Sequence, residues 1–145
     1  ERSRRLGDVY KRQVEKAAKK GLLKFLGPLP RFKALRILAG SDVAVLPSRE
    51  EGISTVLLEA MALKIPIVAT RVGGTIEILR HGEDALLVNP DPSEIKTAVT
   101  KLLTDRKIAK KLTENAYQRL LNNYEWKIVL EKYLRLYNQL MNLNR

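Results

Sequence analysis

Residues 42–70 read DVAVLPSREEGISTVLLEAMALKIPIVAT, in which two apolar runs are separated by a glycine-containing loop and an apolar helical pattern. Asp42–Leu46 and Ile65–Thr70 are each predicted as a buried strand, because short apolar runs without alternation are typical of parallel sheets covered on both faces. Thr55–Leu63 has almost no polar face and is predicted as a buried helix. The segment therefore predicts two strands joined by a crossover helix.

The same alternation of apolar runs and helical patterns continues on both sides of this segment. Leu22–Leu26 and Ala85–Val88 are predicted as two further strands. Gly21 is predicted to end the first helix, and the turn at 89–93 and Asp105 to supply N-caps for two others. The predicted helical segments are Asp8–Lys20, Phe32–Leu38, Thr75–Arg80, Ser93–Leu103, Asp105 to about Asn122, and Tyr124–Met141. Four strands separated by helices predict an α/β fold with a Rossmann-like, doubly wound parallel sheet and C-terminal helices.

The composition excludes several classes of site. The chain has 145 residues, of which 45% are hydrophobic, and this suits one ordinary core. It has no cysteine, so a disulfide framework, a thiolate zinc site and a cysteine nucleophile are excluded. The sequence has no apolar run of about 20 residues and no signal-peptide pattern, so we expect a cytoplasmic protein.

The net charge of +11 is concentrated in the N-terminal part of the chain. Residues 1–40 hold 12 Lys/Arg and 3 Asp/Glu, whereas residues 41–145 hold 15 and 13. A cluster such as Lys16, Lys19 and Lys20 is most often a solvated helix face, and peripheral attraction to an anionic membrane is the alternative. Nucleic-acid binding is not expected, because few aromatic residues are interleaved with the basic ones.

One carboxylate stands within the apolar helix. Every residue from Val56 to Leu63 is apolar except Glu59. An ionised carboxylate in such surroundings is costly unless it is paired or hydrogen bonded. Glu59 therefore needs a partner, which is either another group of the protein or a ligand.

The start of this helix has the features of an anion site. Gly52 permits an unusual turn, and the unpaired N–H groups of a first helical turn attract negative charge. Ser54 and Thr55 can instead cap the helix themselves, which is the commoner arrangement for these residue types. A phosphate-bearing ligand with hydroxyl groups would engage both the N–H groups and the carboxylates Glu51 and Glu59, since carboxylates accept hydrogen bonds from hydroxyls. These residues suggest a nucleotide-sugar.

Several ordered motifs share their spacing with one enzyme family. They are PSREEG at 47–52, LEAMA at 58–62, PIVAT at 66–70 and VGG at 72–74. Together they resemble the C-terminal, donor-binding domain of the GT-B glycosyltransferases of group 1, also called family 4. The two-glutamate motif of that family falls on Glu51 and Glu59.

The resemblance implies a role for each matching residue. Glu51 would be the catalytic carboxylate beside the donor sugar and diphosphate, and Glu59 would bind the ribose hydroxyls. The other implied donor-binding residues are Gly52, Ile53, Ser54, Thr55 and Val56, with Pro28 and Leu29 near the nucleobase. The implied activity is transfer of a hexose from a nucleotide-diphosphate sugar to an acceptor hydroxyl with retention of configuration, without a metal or other cofactor.

The sequence departs from the family pattern at several points. Ile53-Ser54 replaces an aromatic-glycine pair, and Lys64 stands where glycine is common. The N-terminal acceptor-binding domain and the basic pair for the diphosphate are not identifiable in the chain. We expect residues 1–13 to be a non-native or disordered basic lead, and residues 14–145 to be the nucleotide-sugar-binding domain, inactive by itself.

Other interpretations of the sequence stay open. His81 is most simply a turn residue, and Gly73-Gly74 either makes a tight turn or contacts the donor. The alternative functions are another GT-B enzyme, such as a nucleotide-sugar epimerase, and a non-catalytic module that binds a nucleotide or an anionic surface.

Overall fold

The computed structural model describes residues 13–143 and divides the chain into two compact units. The first unit ends at Ala34 and the second begins at Leu35. The predicted lead of residues 1–13 lies outside the described residues except for its last one, and so does the predicted helix start at Asp8. The proposed boundary between lead and domain therefore stays a prediction.

The first unit contains helix α1, described over residues 13–19. It ends as predicted at Gly21, where φ is +70° and the next N–H, that of Leu22, donates to the Ala17 carbonyl at 3.1 Å. The predicted strand Leu22–Leu26 is wrong, because no strand forms there and Leu22 is 76% exposed. An apolar run becomes a strand only where a neighbouring strand exchanges backbone hydrogen bonds with it.

The second unit contains a three-stranded parallel sheet. Its strands are β1 (Ala44–Leu46), β2 (Ile67–Thr70) and β3 (Leu86–Val88), in the order β1-β2-β3. In the register, Val68 lies opposite Val45 on one side and opposite Leu86 on the other. The predicted parallel α/β sheet is confirmed with three of its four predicted strands.

The remaining helices agree with the predicted ones to within two residues at each end. They are α2 (Arg31–Ala39), α3 (Thr55–Ala62), α4 (Thr75–Ile78), α5 (Pro92–Thr104), α6 (Arg106–Asn123) and α7 (Trp126–Leu143). The Asp91 side chain accepts hydrogen bonds from the Ser93 and Glu94 N–H groups at the start of α5, and Asp105 caps α6 in the same way. Both predicted N-caps are therefore present.

Helices cover both faces of the sheet, as in a doubly wound fold. On one face, Leu57 and Met61 of α3 belong to the same buried cluster as Ile67 of β2. On the other face, Val68 of β2 clusters with Leu102 of α5 and with residues of α6. Adjacent residues of a strand point to opposite faces, so β2 contributes to both clusters. All four residues of β2 are buried, as predicted.

Three apolar segments are less buried than their composition suggests. β1 is an edge strand, and Val45 at its centre is 42% exposed. α3 packs against the sheet with one side, so Val56 is 45% exposed. The apolar face of α7 is also exposed, with Trp126 at 80%. Among the helices within residues 13–143, none combines the length and the apolar character needed to cross a membrane.

A buried ion pair fastens the turn before β3 to α6. The Asp84 side chain accepts hydrogen bonds from the Arg80 N–H at 3.0 Å and from Arg119 Nε at 2.5 Å. Asp84 is 3% exposed, so both contacts are needed to offset the desolvation of its carboxylate. The contacts fix the position at which the chain enters β3.

α3 ends in a left-handed residue that is not glycine. Lys64 has a φ of 55°, and the next N–H, that of Ile65, donates to the Ala60 carbonyl at 3.0 Å. The Lys64 ammonium lies 2.9 Å from the Glu114 carboxylate and 4.3 Å from the centre of the Tyr117 ring. Lysine therefore ends this helix in a left-handed conformation that glycine adopts more easily, at the cost of an unfavourable backbone conformation.

We expect Lys64→Gly to give a more stable protein than Lys64→Ala, by about 0.5–1 kcal/mol. Both variants lose the contacts with Glu114 and Tyr117, but only alanine keeps the left-handed penalty of about 1–2 kcal/mol, and the extra chain entropy of glycine offsets part of that difference. Urea denaturation at pH 7 measures the difference. Equal stability of the two variants would show that the backbone conformation at residue 64 carries no cost.

The cap of α5 gives a pH-dependent stability. The hydrogen bond from the Ser93 hydroxyl, followed by that from the Glu94 N–H, holds the pKa of Asp91 below its usual value. A carboxyl with a lowered pKa in the folded state stabilises the protein above its unfolded pKa of about 3.9, and this contribution is lost as the pH falls through the folded pKa.

Asp91→Asn tests this linkage, because asparagine caps equally well but does not titrate. We expect the parent to exceed the variant in stability at pH 7 and the difference to shrink at pH 3, measured by urea denaturation. Asp42→Asn, at an exposed carboxylate, is the matched control. A difference that is constant between the two pH values contradicts the assignment.

Candidate functional site

The candidate site lies at the edge of the sheet where the parallel strands end. The loop after β1 covers residues 47–54 and carries the first glutamate of the motif. The loop after β2 covers residues 71–74 and carries the glycine pair. Ligands of open α/β sheets bind at this edge, because the carboxyl ends of parallel strands and the starts of the following helices meet there.

The loop after β1 is anchored to the end of β2. The Thr70 hydroxyl lies 2.5 Å from the Ser48 carbonyl and 3.3 Å from the Leu46 carbonyl. One hydroxyl has one proton, so the shorter contact to Ser48 is the main hydrogen bond. Thr70 is 1% exposed, and its position is therefore set by the core.

Glu51 is half-buried in this loop, and one of its two carboxylate oxygens is engaged. The Ser48 hydroxyl donates a hydrogen bond to Glu51 Oε2 at 2.8 Å. Within residues 13–143, Glu51 Oε1 accepts no hydrogen bond. The carboxylate is thus held at one oxygen and can accept hydrogen bonds from a ligand at the other.

The two loops are in direct backbone contact. The Gly74 N–H donates to the Glu51 carbonyl at 3.0 Å. A Cβ at Gly73 would lie 2.0 Å from the Glu51 carbonyl oxygen, and a Cβ at Gly74 would lie 2.3 Å from the Gly52 carbonyl oxygen. Both positions therefore require glycine, and Gly73 also has a φ of +39°. The glycine pair makes the turn and also lets the second loop fit against the first.

The N-terminus of α3 has no side-chain cap. Ser54 occupies the N-cap position, but its hydroxyl makes no capping hydrogen bond. Among the described residues, none accepts a hydrogen bond from the Thr55 or Val56 N–H. Self-capping, which the sequence left open, is therefore not the arrangement found. These N–H groups and the partial positive charge of the helix end are available to an anion.

The residues next to this helix end leave space in front of it. A Cβ at Gly52 would meet no atom within 4 Å, and Ile53 is 66% exposed. Glu59, further along α3, is half-buried and not without a partner. This agrees with the prediction that a carboxylate in this helix requires one.

The other residues with predicted site roles lie elsewhere or act structurally. Pro28 and Leu29 belong to the first unit and are exposed, and their predicted place near a nucleobase stays a prediction. His81 accepts a hydrogen bond at Nδ1 from the Leu87 N–H at 3.0 Å, which supports its interpretation as a turn residue. Within residues 13–143, His, Asp and Glu form no cluster that could hold a metal ion. Transfer without a metal remains a prediction.

Three hydroxyl residues at this edge were not expected from the sequence. Ser48 and Thr70 form the contacts given above, and Thr75, fully buried at the start of α4, has no hydrogen-bond partner for its Oγ1 among the described residues. Thr70 and Thr75 flank the glycine loop, and Ser48 follows a strand-ending proline. The sequence places all three at or near the boundaries of predicted strands and helices, where serine and threonine are also common in ordinary turns.

The sequence matches a known family over most of its length. The model of the family described as Glycosyl transferases group 1 matches residues 6–119. The probable sucrose-phosphate synthase of Thermosipho melanesiensis is 35% identical in an alignment of 132 residues that covers 88% of this chain and 30% of that protein. The chain therefore spans about a third of the length of this curated relative.

Solved GT-B structures are similar to the chain as well. The sucrose-phosphate synthase of Thermosynechococcus elongatus matches with a TM-score of 0.80 and 27% identity, over 93% of this chain and 35% of that one. HepE of Anabaena, solved in complex with UDP-glucose, has the same fold with a TM-score of 0.73 and 24% identity, over 91% and 37%. The predicted fold and the predicted resemblance to a C-terminal GT-B domain are confirmed, and the chain belongs to the group 1 glycosyltransferase family.

Proposed function

We propose that the chain binds a nucleotide-diphosphate sugar at the Glu51 loop and the start of α3. The whole protein would transfer that sugar to an acceptor hydroxyl with retention of configuration, as a family 4 hexosyltransferase that uses no metal. The observation that carries the proposal is a helix N-terminus without a side-chain cap, preceded by a loop carboxylate of which one oxygen accepts no hydrogen bond from residues 13–143. Together they suit a ligand in which phosphate and hydroxyl groups are adjacent.

The diphosphate would lie at the first turn of α3. The Thr55 and Val56 N–H groups point along the helix axis, and Gly52 leaves the approach open. When the bond between the anomeric carbon and the diphosphate oxygen breaks, the diphosphate gains negative charge. N–H groups that are already oriented stabilise this charge without reorganisation, so the helix end would contribute to catalysis as well as to binding.

The hydroxyl groups of the donor would bind the two carboxylates. Glu51 Oε1 would accept from the transferred sugar, and Glu59 would accept from the ribose. Pro28 and Leu29 would contact the nucleobase. These assignments are supported by the family to which the chain belongs. UDP-glucose is the ligand to test first, because the similar Anabaena HepE was solved in complex with it.

The rest of the protein would supply the acceptor side. The chain spans about 30% of the length of its relative from Thermosipho melanesiensis, so the acceptor site and the cations for the diphosphate would lie outside it. α7 exposes Trp126, Leu130 and Tyr133 at 80%, 54% and 57%. An apolar helix face of this size suits packing against that additional domain.

Binding of the donor by Glu59 is tested with Glu59→Gln, which keeps the shape of the side chain and removes its charge. Loss of a charge-assisted hydrogen bond of about 1.5–3 kcal/mol should raise the Kd of UDP or UDP-glucose roughly 10- to 100-fold. Calorimetric titration measures the Kd, with GDP-glucose and ADP-glucose tried in parallel. Glu131→Gln on the exposed face of α7 is the matched control.

Because Glu59 is partnered in the structure, thermal unfolding must first show that Glu59→Gln is folded. Equal affinity of a folded Glu59→Gln protein and the parent would rule out the ribose assignment. Failure of the parent to bind any of the nucleotides would rule out the proposed function of this chain.

Peripheral contact with an anionic membrane is a second proposal, and the first unit favours it. Lys16, Lys19 and Lys20 are exposed on or just after α1, and Leu22 and Phe25 are exposed beyond them at 76% and 61%. Basic residues beside apolar ones suit a surface of anionic lipid.

We expect replacement of Lys16, Lys19 and Lys20 by glutamine to lower binding to phosphatidylserine vesicles by at least about tenfold, since each lysine contributes about 1 kcal/mol. Vesicle sedimentation at 0.1 M salt measures the binding. The matched control replaces three exposed lysines of α6: Lys107, Lys110 and Lys111. Equal loss in both variants would indicate attraction by total charge and contradict a specific surface on the first unit.

A further inference from the structure

We propose that Ser48 is a positioning residue for Glu51. By donating to Oε2, it leaves Oε1 as the oxygen that accepts a hydrogen bond from a hydroxyl of the sugar in the nucleotide-sugar. This inference rests on the function proposed above and extends it to a residue outside the two-glutamate motif. Its basis is the 2.8 Å hydrogen bond from the Ser48 hydroxyl to Glu51 Oε2.

The hydrogen bond makes the two oxygens of the carboxylate unequal. Oε2 already accepts from Ser48, whereas Oε1 accepts from no group among the described residues. Glutamate has three side-chain torsions, and holding such a side chain in one arrangement on binding costs conformational entropy. A carboxylate held before the ligand arrives avoids much of this cost.

Ser48 can serve as a fixed point because the core holds its backbone. Its carbonyl accepts the hydrogen bond of the Thr70 hydroxyl at 2.5 Å, and Thr70 is the buried last residue of β2. The contacts run from the central strand through Thr70 and Ser48 to the carboxylate. Thr70 contacts Ser48 and Ser48 contacts Glu51, so the carboxylate is linked to the buried strand.

The backbone of Glu51 is held separately from its side chain. Its carbonyl accepts from the Gly74 N–H at 3.0 Å, and the close approach of Gly73 and Gly74 keeps the loop in place. Removing the Ser48 hydroxyl should therefore release the carboxylate and leave the loop backbone unchanged. This separation allows a positioning role to be distinguished from a structural one.

The experiment compares UDP-glucose with UDP, which lacks the sugar that Glu51 would contact. For the parent, Ser48→Ala, Ser48→Thr, Glu51→Gln and the double variant Ser48→Ala/Glu51→Gln, the Kd of each ligand is measured by calorimetry or ligand-observed NMR. If the parent prefers another base, the matching GDP- or ADP-glucose and nucleoside diphosphate replace this pair. The ratio of the two Kd values isolates the contribution of the sugar.

We expect Ser48→Ala to raise the Kd of UDP-glucose by about three- to tenfold and to leave the Kd of UDP unchanged. Ser48→Thr, which retains a hydroxyl, should restore the parent ratio. In the Glu51→Gln background, Ser48→Ala should have little further effect, because two residues that act through one contact are not additive.

The possible failures are distinct from one another. If the parent binds nucleotides but Ser48→Ala leaves the ratio unchanged, the role of Ser48 is overturned and the proposed function stands. If Ser48→Ala raises the Kd of both ligands equally and Ser48→Thr does not restore binding, the role of Ser48 is structural, which also overturns the inference. If the parent binds no nucleotide or nucleotide-sugar, the proposed function fails and this inference fails with it.

Discussion

The burial of β2 between two strands and two layers of helix is the constraint on which the candidate site depends. Because all four of its residues are buried, the end of β2 is a fixed point at the sheet edge. Thr70 stands at that end and, through its hydroxyl, holds the Ser48 carbonyl of the neighbouring loop. The loop that carries Glu51 is thus positioned by the core of the protein, as the proposed contact with a ligand in one orientation would require.

The second loop completes this arrangement by backbone contact. The approach of Gly73 and Gly74 to Glu51 and Gly52 is closer than any residue with a Cβ allows. The same contact ties the loop after β2 to the loop after β1, and the buried Thr75 follows directly at the start of α4. The two loops are therefore coupled through their backbones, so a substitution that moves one loop should also move the other.

The sequence predicted those features that depend on neighbours along the chain. The caps at Asp91 and Asp105 and the helix end at Gly21 follow from local chemistry, and all three are present. Leu22–Leu26 has the composition of a strand but forms none, because pairing depends on a partner that composition does not reveal. The contact from Thr70 to Ser48 spans 22 residues, so the role of these hydroxyls became visible only in the folded structure.

Two electrostatic effects oppose each other at the Glu51 loop. The uncapped end of α3 attracts an anion, whereas the carboxylate of Glu51 in the same loop repels one. Free phosphate would be attracted by the helix end and repelled by the carboxylate. A ligand with a hydroxyl-bearing group next to its phosphate would avoid the repulsion, because the hydroxyl would donate to the carboxylate while the phosphate accepts from the N–H groups. The loop should therefore favour a sugar diphosphate over a simple anion, and in the proposed arrangement Ser48 would strengthen that preference by donating to the carboxylate oxygen that the sugar does not use.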